Sequence, residues 1–428
     1  MNIDFPRLLV ISHNLFDRTN NVGKTLQSLL SKWPQDKLSS LYFRNEYPKE
    51  YFCSNYFLLD DKDVLKSFLT FGKYKSGIAF ENSITGNAEC TDTEKGLYRL
   101  GNRRKPSVSL CRDLLWHAGT WKNEKLSDWI KKVEPEVVLF VPNDYELAFD
   151  VLWYVKTLTN AKVITFYMDD VFYYQQKASG INAIRRNRLF KDGQKCAAIS
   201  ECLFTTCKLM SEEYTKLFHK KCFEFGNCID TVSYRESSNA IPIISYIGNL
   251  HSNRWKSILE IGEAINQFNH INDANYRLDI YSASDLPKKT RLMIEDNKGV
   301  SFCGALSPSE VREKQLQSDI LVHVESMDEV SKASTRLSVS TKIFEYLSVG
   351  RAIFAYGPND IASMQYLEQT GASVNCYDKS KLMEKLEKLL SSREYREELG
   401  QKGVGFALEH CQKERESKRF CDTVIGTI

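Results

Sequence analysis

The sequence predicts an α/β protein with parallel sheets, and three observations predict it. Short apolar runs recur along the chain, among them Leu8–Ser12, Val137–Val141, Lys162–Tyr167, Ile243–Gly248 and Asp319–Val324. A polar loop and then apolar residues at helical spacing follow most of them. Runs of this length without alternation suit strands buried on both faces, the environment of a parallel sheet. The polar stretch 231–242, ending in Pro242, is the best linker candidate, so two domains are expected over 1–238 and 239–408.

The chain has 428 residues, 42% hydrophobic and 26% charged, with a net charge of +3. That composition is ordinary for a globular protein and gives no argument for nucleic acid. No run approaches the length of a membrane span, and Met1–Arg7 lacks the basic and apolar regions of a signal peptide, so a cytoplasmic protein is expected. The twelve cysteines include no Cys-x-x-Cys pair. Several (Cys196, Cys202, Cys207, Cys303, Cys376) sit in apolar segments, where a thiol acts as a small hydrophobe. No metal site is read from the sequence.

The first strand, Leu8–Ser12, leads through His13 and a polar loop to a helix expected over 26–32. Gly23-Lys24-Thr25 is not a P-loop, because the position five before Gly23 is Arg18. The loop still lies where open α/β sheets place ligands. Around 71–106 the pattern weakens, and the segment ends in the basic cluster 95–105. Helical spacing returns over 109–132 and is stopped by Pro135. Strand, helix, strand over 137–167 implies a parallel crossover. It puts Asp144, Asp169 and Asp170 at the same sheet edge as His13. The segment 177–195 is basic and partly apolar, a pattern that suits either a solvated helix or an anionic membrane surface.

In the second half, Asp319–Val324 reads as a buried strand, 340–350 as a helix stopped by Gly350, and 351–356 as the next strand. Ser338 or Ser340 is expected to cap that helix. Its N-terminus would offer free N–H groups to an anion, with the Glu345 carboxylate a turn away. The loop after Gly248 carries Arg254 and Lys256 at a helix start. Any αβ unit could present the same features.

Ser340-Thr-Lys-Ile-Phe-Glu-Tyr-Leu-Ser-Val-Gly350 resembles the S-K-x-F-E-Y-L-x-x-G segment of GT-B glycosyltransferases, especially the retaining family 4 group. The resemblance extends over the first loop, 135–230 and nearly all of 243–410. It implies two Rossmann-like parallel-sheet domains facing across a cleft, with a terminal helix, 409–428, returning to the N-terminal, acceptor-side domain. It also implies a donor site in which Ser340, Thr341 and Lys342 hold the diphosphate of a sugar nucleotide and Glu345 holds the ribose. Arg254, with Lys256 in reserve, would neutralise the diphosphate beside Gly248, and Gly23 would face it from the other domain. Three positions depart from the family pattern. Asn249 stands where an Arg is usual, Asp169-Asp170 where a His-Asp pair is usual, and Leu337 where an acid is usual eight positions before Glu345.

The expected activity is transfer of a sugar from a nucleotide-sugar donor to a saccharide or lipid-linked saccharide. The segments around Ile11–Phe16 and Asp61–Ser67 look like bacterial capsular glycosyltransferases, so surface-polysaccharide synthesis is the expected setting. Retention is expected, without a metal or other cofactor. An inverting enzyme would need a base, for which His13, Asp144, Asp169 and Asp170 are the candidates. Membrane contact would fall to 95–105 and 177–195. Two alternatives stay open: a non-catalytic partner subunit of the same fold, and a nucleotide-sugar 2-epimerase or hydrolase.

Overall fold

The computed structural model describes residues 4–15, 20–82, 106–172, 180–234, 236 and 239–428. The chain forms two compact units, Met1–Gly226 with Glu414–Ile428, and Asn227–Lys413. The basic cluster 95–105 and residues 177–179 of the second basic segment lie outside the described residues.

The first unit holds an eight-stranded sheet in the order β4-β3-β2-β1-β5-β6-β7-β8. Its strands are β1 (Leu8–Ser12), β2 (Leu38–Tyr42), β3 (Asn55–Leu58), β4 (Ile78–Glu81), β5 (Val137–Val141), β6 (Lys162–Tyr167), β7 (Ser200–Thr205) and β8 (Cys222–Glu224). Every neighbouring pair is parallel except β3 with β4. β1 and β5 are buried along their whole length, as their unbroken apolar runs require. One face, which includes Phe140 of β5, packs on Trp116, Trp121, Trp129 and Phe149. The stretch read as helical over 109–132 is two helices, Pro106–His117 and Glu124–Val133, the second capped by Asn123. The C-terminal helix, Lys413–Thr427, buries Phe420 against Phe204 and Phe225 of this unit.

The second unit holds a six-stranded, wholly parallel sheet in the order β11-β10-β9-β12-β13-β14. These strands are β9 (Ile244–Ile247), β10 (Leu278–Tyr281), β11 (Val300–Gly304), β12 (Ile320–Val324), β13 (Ala352–Tyr356) and β14 (Ser373–Cys376). The division between units falls at Gly226, ahead of the expected linker. Ile229 already pairs with Gln412, and Ser233 N–H donates to the Ser348 carbonyl at 2.9 Å, so those residues belong to the second unit.

Cys196, Cys202, Cys207 and Cys376 are buried free thiols, whereas Cys303 is exposed. Among the described residues no helix is long and apolar enough to cross a membrane, and no group of three His, Cys, Asp or Glu could hold a metal ion.

Candidate active site

In an open parallel sheet, ligands bind beyond the carboxyl ends of the strands, where the strand order reverses. In the second unit the order reverses between β9 and β12, because the chain runs outward from β9 to β10 and β11, then from β12 to β13 and β14. Gly248 follows β9 and Glu325 follows β12. Four of the expected donor residues (Gly248, Arg254, Lys342 and Glu345) gather in this region, and Glu325 joins them.

Glu325 is the centre of the cluster. Its buried carboxylate takes three hydrogen bonds from Arg254: Nη2 to Oε1 at 2.9 Å, Nη2 to Oε2 at 2.8 Å and Nε to Oε2 at 3.1 Å. Arg254 Nη1 also donates to Asn249 Oδ1 at 3.1 Å, so the residue in the usual Arg position helps hold the guanidinium. Arg254 is therefore a fixed charge in a forked pair, not a loose surface cation. Burial pushes the Glu325 carboxyl up, and Arg254 opposes the shift. His323 Nε2 is buried without a hydrogen-bond partner, 3.6 Å from Glu325 Oε1. Burial, then Arg254 and Lys342, take its pKa down to about 3, so the ring is neutral.

Lys342 crosses the carboxyl end of β9. A Cβ on Gly248 would lie 1.8 Å from its Nζ, so only glycine leaves room for the ammonium where it stands. The Tyr246 ring centroid is 5.4 Å from the same Nζ. Burial first, then Arg254, lowers the Lys342 pKa to about 8, against the pull of Glu325 and Glu345.

Lys342 belongs to the helix Thr341–Val349, whose N-cap is Ser340. Neither serine caps it by the expected route. The Ser340 side chain makes no capping bond, and Ser340 N–H donates to Ser363 Oγ at 3.1 Å. The N–H groups of Thr341 and Lys342 precede the first intrahelical partner and stay available for an anion. Gly350 ends the helix at φ +64°, and a Cβ there would meet the Tyr234 ring at 2.5 Å. Glu345, half-buried one turn in, accepts from Gln315 Nε2 at 2.9 Å through Oε2, leaving Oε1 for a diol. Lys256 is exposed and lies beside the Trp255 ring. Leu337, at the usual acid position, is fully buried.

In the first unit the strand order reverses between β1 and β5, and β6 is the next neighbour. His13 follows β1, Asp144 follows β5 and Asp169 follows β6, so the structure brings these three to neighbouring strand ends. Asp169 is exposed. Asp170 turns inward and accepts from Tyr214 Oη at 3.0 Å and Phe172 N–H at 3.2 Å, which makes it a brace of the fold. Burial, then Arg112, lowers His13 to about 4. Gly23 is not in a loop: Asn20 caps a helix over Asn21–Leu29 and accepts the Gly23 N–H at 2.7 Å.

Sequence reasoning missed Glu325, His323 and Gln315. The available signal was two polar residues closing a buried apolar strand, where an unpaired charge is costly.

No protein-family profile matches the chain, and no curated protein matches it. Solved structures do. Sucrose-phosphate synthase from Thermosynechococcus elongatus aligns over 97% of this chain and 98% of its own, at TM-score 0.60 and 13% identity. Anabaena HepE, solved with UDP and glucose, aligns over 98% of this chain and 99% of its own, at TM-score 0.61 and 9% identity. The chain has the GT-B fold. A UDP-forming α,α-trehalose-phosphate synthase from Burkholderia xenovorans, in complex with glucose-6-phosphate, matches this GT-B chain over 98% of its length and 100% of its own, at TM-score 0.59 and 10% identity.

Proposed function

We propose that the chain is a glycosyltransferase that moves a sugar from a nucleoside-diphosphate donor, bound by the second unit, to a saccharide bound by the first. The observation that carries this reading is the cluster at the β9/β12 reversal. Two fixed cations, Arg254 and Lys342, stand against one buried carboxylate, beside two unbonded N–H groups of a helix N-terminus. That pole suits a diphosphate, and Glu345 suits the ribose hydroxyls. As the glycosidic bond breaks, the departing diphosphate gains charge, and preorganised cations and N–H groups favour that state over the ground state. UDP in the Anabaena structure and the UDP-forming trehalose-phosphate synthase favour uracil as the base.

The stereochemical outcome we propose is retention. The leaving phosphate takes the acceptor's proton, and a neutral His13 of low basicity is then no handicap. The reading needs no metal ion, since Arg254, Lys342 and the helix N-terminus supply the positive charge. The setting we propose is surface-polysaccharide assembly on a saccharide or lipid-linked saccharide. The helix Ile181–Ile199 would approach the membrane with Arg186, Arg188, Lys191 and Lys195. Arg185 is withdrawn from that face into a pair with Asp113. Buried Leu337, in place of an acid, favours as second reading a partner subunit that binds without catalysing.

The test is a thermal-shift panel of UDP, GDP, ADP, TDP and CMP on the wild type and Glu345→Ala. A nucleotide at a hundred times its dissociation constant adds about 2.7 kcal/mol by mass action. One nucleotide, expected to be UDP, should raise the Tm of the wild type and not of the variant. No shift with any of the five would remove the donor reading.

A further inference from the structure

The β1/β5 reversal in the first unit carries a second cluster, which the donor chemistry leaves unused. Three polar atoms there are buried without a hydrogen-bond partner: His13 Nδ1, Asn143 Nδ2 and Asp113 Oδ1. Buried polar groups are nearly always paired, so three orphans at one strand-end reversal point to a ligand that pairs them. Tyr145 links them: its ring centroid lies 5.8 Å from that of His13, 4.1 Å from Arg112 Cζ and 5.5 Å from Arg185 Cζ, the partner of Asp113, and its N–H donates to Asn143 Oδ1 at 3.2 Å.

The cluster has two ends of different character. At one end Arg185 is engaged: Nε donates to Asp113 Oδ2 at 2.9 Å, and Nη2 donates to the Asp144 carbonyl. Asp113 Oδ1 and Asn143 Nδ2 are left there as one acceptor and one donor, which is what sugar hydroxyls satisfy. At the other end, Arg112 and Arg44 act on His13 against a single acid, Asp61. Arg112 gives only its Nε to Asp61, at 2.8 Å, and its two terminal nitrogens have no recorded hydrogen bond among the described residues. Arg44 is paired with Glu46 through Nε at 2.7 Å. A guanidinium with a free fork beside an unpartnered imidazole suits a carboxylate or phosphate oxygen pair.

We propose that this cluster is the acceptor subsite and that it selects an acidic saccharide: its hydroxyls pair with Asp113 and Asn143, and its anionic group with Arg112, Arg44 and His13. This inference rests on the transferase reading for its meaning, but not for its test. A uronate carboxylate and a sugar phosphate share the required chemistry.

The experiment is a ligand-observed NMR titration of the full chain, saturated with UDP to fill the donor site, using glucose, glucuronic acid and glucose 6-phosphate. One or both acids should bind roughly tenfold more tightly than glucose, the effect of one charge-assisted contact. The better of the two identifies carboxylate or phosphate as the group recognised. Arg112→Gln should erase the preference. Arg44→Gln, on a half-exposed pair, should reduce it and covers the case in which the first variant does not fold. In 15N-labelled protein the His13 imidazole resonance should move with the acid and not with glucose. Equal binding of all three sugars overturns the proposal, as does binding of none, or a preference that survives both variants. Failure of the donor reading would show separately, as no response to UDP.

Discussion

Lys342→Met separates the cost of the proposed donor site to the fold from its benefit to binding. The ammonium is buried, and its pKa falls from 10.5 to about 8. At about 1.4 kcal/mol per pKa unit, the charged form at neutral pH carries about 3 kcal/mol of unfavourable free energy. Methionine has similar length and no charge. It relieves the repulsion from Arg254 and gives up the attraction to Glu325 and Glu345, so the variant should be about 1–3 kcal/mol more stable at pH 7. A charged contact to phosphate contributes about 1.5–3 kcal/mol, so UDP should bind the variant roughly ten- to a hundredfold more weakly.

The pH dependence has a definite sign. Between about 8 and 10.5 the unfolded chain holds the Lys342 proton and the folded chain has lost it. Wild-type stability therefore rises through that window relative to the variant, by the same ~3 kcal/mol. UDP affinity runs the other way and falls above about pH 8, because the deprotonated amine no longer attracts the diphosphate. Urea denaturation at pH 7 and pH 10, with calorimetric titration of UDP at both, measures all four quantities. A Met variant that is less stable than wild type at pH 7, or that binds UDP equally well, would refute the reasoning.

Glu325→Ala should cost about 3–5 kcal/mol, because it strands Arg254 opposite no carboxylate; adding Arg254→Met should recover part of it in a double-mutant cycle read by urea denaturation. Gly248→Ala should move the Tm little, since the nearest obstacle is the flexible end of Lys342, yet weaken UDP in calorimetry by displacing that ammonium. Buried neutral His323, at about 3 against an ordinary 6.5, contributes stability that is complete above about pH 6.5 and is lost as the pH falls towards 3. His323→Leu should flatten that part of the acid-unfolding curve, by up to about 4–5 kcal/mol at pH 3, and an unchanged curve would show that the histidine is not buried neutral.

The helix bearing Ser340, Lys342 and Glu345 was legible because its parts are local: an apolar strand, a polar loop, apolar residues on one face and a glycine stop. The same holds for the strands that end at His13 and Asp144. What was hidden depended on strand order, which no local pattern carries. That β12 lies against β9 is a long-range fact, and it alone makes Glu325 the partner of Arg254 across 71 positions. Gly23 was misplaced for a different reason. The glycine suggested a loop, but Asn20, three positions earlier, supplies a cap that starts the helix sooner. Asp169 and Asp170 could not be told apart because adjacent acids look alike in sequence. The structure separates them: Tyr214 holds Asp170 inside, and Asp169 is left at the surface. If β1 and β5 form the acceptor end of the transferase as β9 and β12 form its donor end, the two reversals do the same job, each recognising an anionic group. Each one places a pair of arginine- or lysine-borne charges against a buried carboxylate. The first unit leaves polar atoms unsatisfied where the second leaves helix N–H groups unbonded. Substrate choice would then reside in Arg112 and Arg44, while Glu345 holds the ribose that ribonucleotide donors share. Replacing the two arginines should change which acceptor sugar is bound while leaving the two sheets, and the stability they provide, in place.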